Sequence, residues 1–473
     1  MYQKLESLVI ETFRNLPLAE FAVKDPKTIS FLASQILKLG LQFQRESPVG
    51  AKVPSMVKQE KYEAVIAILH QISKKLKVGS KSAIGLVDPF LKEVFVGGIG
   101  KRKKFYEERG FRAPSFVTIS PTNNCNLRCK GCYANEPFKI INLDYEIFNQ
   151  IINECESYGI NFFVISGGEP FMYKSKGKSL VDVLKEHKSS WFLIFTNGTL
   201  LSEKTVKELS EIGNLTLAIS SEGRKKETDE RRGKGVYDKI IKAKELCNKY
   251  GLIHGSSLTL TKENFDTIMD EEFFFEKFEK EKDSYVWIFH YMPIGRNPNP
   301  SLMPTPEQRL KARKLESRLV KEKKWPIFDF WNSGTLSDGC ISAGRGGGYF
   351  YIMWTGEITP CVFIPFKDKE INNVYELYKN GKSIFDVLDS KLFKAIREWQ
   401  IEYGKKGGNQ LMPCPIRDHA TKFRKIVHET GAWPTDKDAL LYLSFCVPPF
   451  GVMCRYNEEC RKLLGKEWEK IRR

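Results

Sequence analysis

The sequence predicts an α/β protein built on a parallel sheet, with a helical region before the sheet and a small cysteine-bearing region after it. Three observations carry that expectation. Between residues 114 and 300, short β-rich runs alternate with helical stretches. Polar or glycine-containing motifs recur at the C-terminal ends of those runs, where parallel α/β folds collect their ligand-binding groups. Ahead of them, about 110 residues place apolar side chains at helical spacing.

The leading region, residues 1–113, shows the helical pattern at Ile29, Leu32, Ala33, Ile36, Leu39 and Phe43, and again at Val65, Ile66, Leu69 and Ile72. It holds 20 Lys and Arg against 11 Asp and Glu, about half of the chain's net charge of +17. Such a balance favours acidic partners without choosing among nucleic acid, an anionic membrane surface and phosphorylated substrates. Its most apolar stretch, Ala83 to Ile99, is interrupted by Asp88, Pro89, Lys92 and Glu93, which argues against a spanning helix. The Lys101-Arg102-Lys103-Lys104 run that follows reads either as a solvated helix end or as an anchor on an anionic membrane surface. The 473 residues exceed what one core sustains, so two or three domains are expected. Eleven cysteines without an apolar N-terminal signal segment read as reduced thiols and metal ligands in the cytoplasm, with peripheral membrane placement left open.

The six expected strands are Ser115 to Ser120, Asn161 to Ser166, Trp191 to Thr196, Leu215 to Ser220, Ser256 to Leu260 and Tyr285 to Tyr291. Alternation with helices of this length specifies right-handed crossovers in one parallel sheet. A cysteine loop follows the first strand and Gly167-Gly168-Glu169-Pro170 follows the second. Asn197 ends the third, and Ser220-Ser221-Glu222-Gly223 ends the fourth.

In the first of these loops Cys125, Cys129 and Cys132 lie within eight residues, at spacing C-x3-C-x2-C. Three soft ligands that close together select zinc, Cu(I) or iron–sulfur over hard cations. A structural zinc wants a fourth Cys or His nearby, and the next candidates are Cys155, in a predicted helix, and the distant His187. The open position calls for a ligand from outside the chain, although a degenerate zinc knuckle or a buried-thiol loop shares the spacing. With Tyr133 directly after the third cysteine and the Gly-Gly-Glu-Pro element about 35 residues on, the segment resembles the radical SAM family.

That resemblance covers roughly residues 114–310 and implies a partial (β/α)6 parallel barrel. It implies a 4Fe-4S cluster on Cys125, Cys129 and Cys132, with S-adenosylmethionine on the fourth iron. It further implies cofactor contacts from Tyr133, Gly167, Gly168, Glu169, Pro170, Asn197, Ser220 and Arg232. Glycines permit close backbone approach, Glu169 offers an acceptor for a cationic amino group, and Arg232 offers a bidentate grip on a carboxylate. An ion pair between Arg232 and Asp229 is the competing reading of that arginine.

Residues 296–324, a Pro- and Asn-rich loop followed by a charged helical stretch, read as the linker out of the barrel. Residues 325–473 then resemble the SPASM or twitch auxiliary-cluster domain. A hairpin turning at Thr355-Gly356-Glu357 brings Cys340 and Cys361 together, and Cys414 follows a helical spacer. These three imply a second iron–sulfur cluster whose fourth ligand is open, with Cys446, Cys454 and Cys460 as further candidates. Cys155 and Cys247 read as core residues.

The function implied is reductive cleavage of S-adenosylmethionine to a 5'-deoxyadenosyl radical that abstracts hydrogen from a substrate. An external electron donor such as a reduced flavodoxin or ferredoxin is expected. The substrate reads as a peptide side chain or a membrane lipid, and no specific nucleic-acid signal is present. A non-catalytic zinc protein binding nucleic acid through the basic leading region is the rival of a different class.

Overall fold

The computed structural model describes residues 53–75, 80–134, 139–447 and 451–473. The expected apolar stripe from Ile29 to Phe43 lies outside the described residues. Six parallel strands form the centre of one sheet: β1 (Phe116–Ile119), β2 (Phe162–Ile165), β3 (Trp191–Thr196), β4 (Leu215–Ser221), β5 (His254–Leu260) and β6 (Val286–His290). Each expected strand is found within two residues of its predicted ends, because β-branched and aromatic runs bounded by polar turns leave little choice of register. The crossover helices include α1 (Tyr145–Ser157), α2 (Leu180–Glu186), α3 (Glu203–Ile212) and α4 (Val236–Tyr250). Their apolar faces cover Val117, Ile119, Phe163, Ile165, Phe192, Ile194, Leu217 and Ile219 on the outer side of the strands. Cys155 and Cys247 are fully buried in this layer, as their helical setting predicts.

The sheet continues past the sixth strand. A helix, α5 (Pro306–Lys323), capped by the Thr305 hydroxyl on the Gln308 N–H, returns the chain to β7 (Ile327–Asp329), parallel to β6. The charged stretch read as a linker is therefore a further crossover helix. Arg309, Arg313 and Glu316 sit on its buried face, where Arg309 pairs with Asp418 at 2.5 Å. Charge alone gave the stretch the look of a solvated connector, and the acidic partners of Arg309 and Arg313 lie 109 and 253 residues away in sequence. At the opposite edge β8 (Tyr349–Ile352) adds in parallel to β1, and β9 (Ile358–Thr359) pairs antiparallel with β8. The predicted hairpin is present and extends the barrel sheet, giving the order β9-β8-β1-β2-β3-β4-β5-β6-β7.

The leading region packs against α5 and beneath the barrel. In the helix Ser55–Lys75 the buried positions are Val57, Ala64, Ala67 and Gln71, whereas Val65, Ile66 and Leu69 are only half-buried. The buried face is thus rotated from the expected stripe. Small side chains let this helix approach α5 and the last helix, α6 (Val452–Arg472), where Val57 joins Leu464 and Trp468. Lys61 holds Asp338 at 2.7 Å, and Glu60 accepts from Arg313 and the Thr335 hydroxyl.

The apolar stretch after Ala83 forms a π-helical run, Leu86–Gly97, beneath the barrel. Phe90 sets its ring 6.1 Å from Phe162 and 5.5 Å from Trp191, at the N-terminal ends of β2 and β3. Arg102 donates to the carbonyls of Val94 and Gly159, and Lys101 to that of Glu156, while Lys103 and Lys104 face Glu107 and Glu108 one turn on. Among the described residues no helix is long and apolar enough to cross a membrane.

Candidate functional site

The strand-tip loops interlock. Gly168 donates its N–H to the Thr122 carbonyl at 2.8 Å and Glu169 to that of Asn124 at 2.7 Å, so the glycine loop lies directly on the cysteine loop. A Cβ on Gly168 would stand 2.3 Å from the Asn124 oxygen, and Gly167 holds φ +123°. Only glycine meets both demands without displacing backbone. Glu169, fully buried, accepts from the Thr196 hydroxyl at 2.7 Å, the Asn197 N–H at 2.7 Å and the Phe171 N–H at 3.3 Å. Burial raises its pKa against these donors. Its carboxylate thus ties the tips of β2 and β3 together, so the acceptor foreseen for a ligand amine is already engaged within the chain.

Asn197 donates to Asn126 Oδ1 at 2.8 Å and points the same amide at Cys125 Sγ, 3.9 Å away. Tyr133 shares a hydrogen bond with the Ser166 hydroxyl at 2.5 Å and accepts from the Gly167 N–H, and burial pushes its phenol up to about 12. Pro170 opens the turn behind Glu169, and Ser220 is half-buried at the tip of β4.

The cysteine loop is also clamped from its far side. Arg231 donates to the carbonyls of Lys130 and Gly131 at 3.0 and 3.3 Å, and Arg296 to that of Cys129 at 3.2 Å. Glu222, buried at the β4 tip, accepts from Arg231 at 2.6 Å and from Arg232 Nε at 2.7 Å through its Oε1. Arg232 is therefore paired with Glu222. Asp229, the partner considered from sequence, caps the Gly235 and Tyr237 N–H groups instead. Glu222 Oε1 meets the Nε–Nη2 edge of Arg232. Burial works against the charge on Arg232, yet Glu222, Cys129 and Cys132 together raise its pKa above the ordinary value, so the cation is kept in the field of the thiols. Burial holds the Cys132 thiol above its usual range and pushes Cys125 up to about 11.

A second group of thiols comes from three separate segments. Cys361, after β9, accepts the Phe363 N–H at 3.4 Å and lies 2.9 Å from the Tyr349 hydroxyl. Cys414 caps the short helix Pro415–Asp418, and its pKa is raised well above normal by burial, then by Cys340, Asp418 and Cys361. Cys361 is pushed up to about 12, burial again being the main cause. The Arg417 side chain is fully buried, stacks over Trp331 and donates through Nη2 to Tyr456, yet its Nε and Nη1 have no partner. The tail cysteines have other neighbours. Cys446 donates to the Tyr442 carbonyl, Cys454 to that of Cys446, and Cys460 packs with Leu464 and Trp468.

Residues 119–274 match the model of the radical SAM superfamily. This segment is a radical SAM domain. The chain is 30% identical to Fe-coproporphyrin III synthase of Methanosarcina barkeri over 185 residues, 38% of this chain and 45% of that protein. It is 26% identical over 298 residues to the antilisterial bacteriocin subtilosin biosynthesis protein AlbA of Bacillus subtilis, 60% of this chain and 62% of that one. It thus spans about half the length of the relatives it matches. In fold it is similar to anSMEcpe with bound AdoMet, with a TM-score of 0.51 at 15% identity, covering 76% of this chain and 99% of that one.

Radical SAM proteins use a 4Fe-4S cluster and S-adenosylmethionine, and the residues present fit that pair. The first thiols stand beside the buried cation Arg232, which suits an anionic cluster. At the second group, the unpartnered donors of Arg417 in a thiol-rich interior suit another such anion. Among the described residues no three Cys, His, Asp or Glu side chains are arranged to hold a single metal ion. A cluster makes the looser demand, because each thiolate takes its own iron.

Sequence reasoning missed Arg231, Arg296 and Glu222 as supports of the loop. The Ser-Glu-Gly tip was the available signal for Glu222, and the fold of the helix Lys225–Arg232 back over that tip identifies its partners.

Proposed function

We propose that this chain is a radical SAM enzyme that modifies a peptide side chain. In this reading Cys125, Cys129 and Cys132 hold the catalytic 4Fe-4S cluster, and Cys340, Cys361 and Cys414 hold a second one. When bound, the cluster and S-adenosylmethionine supply a radical able to take hydrogen from an unactivated carbon. The chain's own share is to position and enclose. Arg231 and Arg296 fix the cysteine loop, Glu169 joins the tips of β2 and β3, and Arg232 sets positive charge beside the thiols.

The observation that carries the reading is the three-thiol loop locked under Gly167-Gly168-Glu169 at the C-terminal mouth of a parallel barrel. A peptide substrate is favoured over a lipid because Phe90 of the apolar run already has aromatic partners on the barrel floor, and because AlbA is named for bacteriocin biosynthesis. A reduced flavodoxin or ferredoxin is the expected class of electron donor. Anaerobically purified protein is expected to be brown and, with dithionite and S-adenosylmethionine, to release 5'-deoxyadenosine. Zinc without iron in the wild type would overturn the reading.

A further inference from the structure

In a filled barrel the residues facing the axis are the best buried; Val164, Leu193 and Ala218 follow that rule deeper in this barrel, whereas along β6 the alternation runs the other way. Along β6 the outward-facing Ile288 and His290 are buried, whereas the inward-facing Trp287 and Phe289 are partly exposed. The register extends this pattern round the mouth. Phe195, Ser220, Thr259 and Phe289 on β3 to β6, with Ser166 and Phe330 directly after β2 and β7, occupy inward positions near the C-terminal ends, and all six are partly exposed. Ser166, hydrogen-bonded to Tyr133, and Ser220 belong to the side of the mouth where the proposed cofactor would lie, and Phe195, Phe289 and Phe330 form the apolar side of the chamber. Of the six, three are hydroxyls and three are phenylalanines, and none carries a charge.

The aromatic side is continuous with the second thiol group. Phe289 lies 5.6 Å from Phe195 and 5.4 Å from Phe330, and Phe363 closes on both Phe289 and Phe330, at 6.0 and 5.4 Å. Phe363 stands two residues after Cys361, and its ring is 6.2 Å from that of Tyr133, which directly follows Cys132. The chamber thus runs between the two cysteine groups.

We infer that this chamber receives an uncharged apolar side chain of the peptide, aromatic or branched aliphatic, seated on Phe195, Phe289, Phe330 and Phe363. The inference rests on the peptide-modifying reading above and names the residue class on which it acts. Phe195, Phe289, Phe330 and Phe363 offer no counter-charge, so a carboxylate or ammonium seated on these rings would lose its hydration uncompensated, whereas an apolar group gains by burial and by ring contacts.

The test uses the anaerobically reconstituted full chain and four small probes: the N-acetyl amides of phenylalanine, leucine, glutamate and lysine. Their binding is followed by saturation-transfer NMR and titration. The two apolar amides are expected to bind at least tenfold more tightly than the two charged ones. Phe289→Asp should abolish that preference and Phe289→Leu should keep it. Phe330→Ala, expected to weaken the apolar amides, serves if the aspartate variant does not fold. Equal or tighter binding of a charged amide, no binding by any of the four, or indifference to both Phe289→Asp and Phe330→Ala would overturn the inference. Release of 5'-deoxyadenosine from the same sample without any amide tests the radical SAM reading separately.

Discussion

The two cysteine groups differ in how the chain assembles them. The first places Cys125, Cys129 and Cys132 on one loop, and the fold only has to pin that loop between a glycine turn and two arginines. The second gathers Cys340, Cys361 and Cys414 across more than seventy residues, through the β8–β9 hairpin and the N-terminus of a short helix. Local order suffices for the first, while the second exists only when the sheet edge is complete. Electrostatics differ in the same sense. The first group has the Arg232 cation beside it, whereas the second crowds thiols around Cys414 and leaves two Arg417 donors without acceptors. Ligation that turns thiols into cluster ligands is therefore coupled more strongly to folding at the second group than at the first.

The largest expected effect separates the two groups outright. Cys129→Ala should reduce 5'-deoxyadenosine release to background, while the combined Cys340→Ala, Cys361→Ala and Cys414→Ala variant should keep releasing it after losing roughly half of the iron. Iron analysis alongside product chromatography checks both, and loss of all iron from either variant in a folded protein would break the independence argued here.

Next in size is the lock between the loops. Gly168→Ala puts a Cβ against the Asn124 carbonyl, so overpacking should cost about 1–3 kcal/mol in denaturant unfolding and empty the first group preferentially. Retained iron at the first group, read by electron paramagnetic resonance, would count against the lock.

A smaller effect is a pH dependence near the second group. His290, beside Trp331 and hydrogen-bonded to Asp329 at 2.6 Å, is lowered by burial and by Arg417 and Arg309 to about 4. Its unfolded value lies near 6.5, so between these values the unfolded chain binds the extra proton and stability falls as pH falls. Across the window the loss is on the order of 3 kcal/mol, and denaturant melts from pH 7 to pH 4 should show it. His290→Gln should flatten the profile; an unaltered slope would remove His290 as its source.

Smallest is the basic run under the barrel. Lys103→Gln with Lys104→Gln alters exposed side chains one turn from Glu107 and Glu108, and should change neither melting nor flotation with anionic vesicles. Salt-sensitive flotation of the wild type, abolished in this double variant, would return a membrane surface to consideration.

By itself the sequence determined the six central strands, the cysteine loop and the glycine turn, because each depends on residues adjacent in the chain: alternation, turn chemistry and ligand spacing. It also marked the three later cysteines and the hairpin that carries two of them. Tertiary structure decided what depends on distant partners. Residues 306–323 look like a solvated linker until Arg309 meets Asp418 across the core. The stripe at Val65, Ile66 and Leu69 yields to Ala64 and Ala67 because the neighbouring helices come close. Arg232 faces Glu222 and not Asp229 because the turn of the helix Lys225–Arg232 carries it back over the β4 tip. The partial exposure of the inward Trp287 and Phe289 was the least legible feature, since alternation along β6 separates them from Val286 and Ile288 without telling which face is filled.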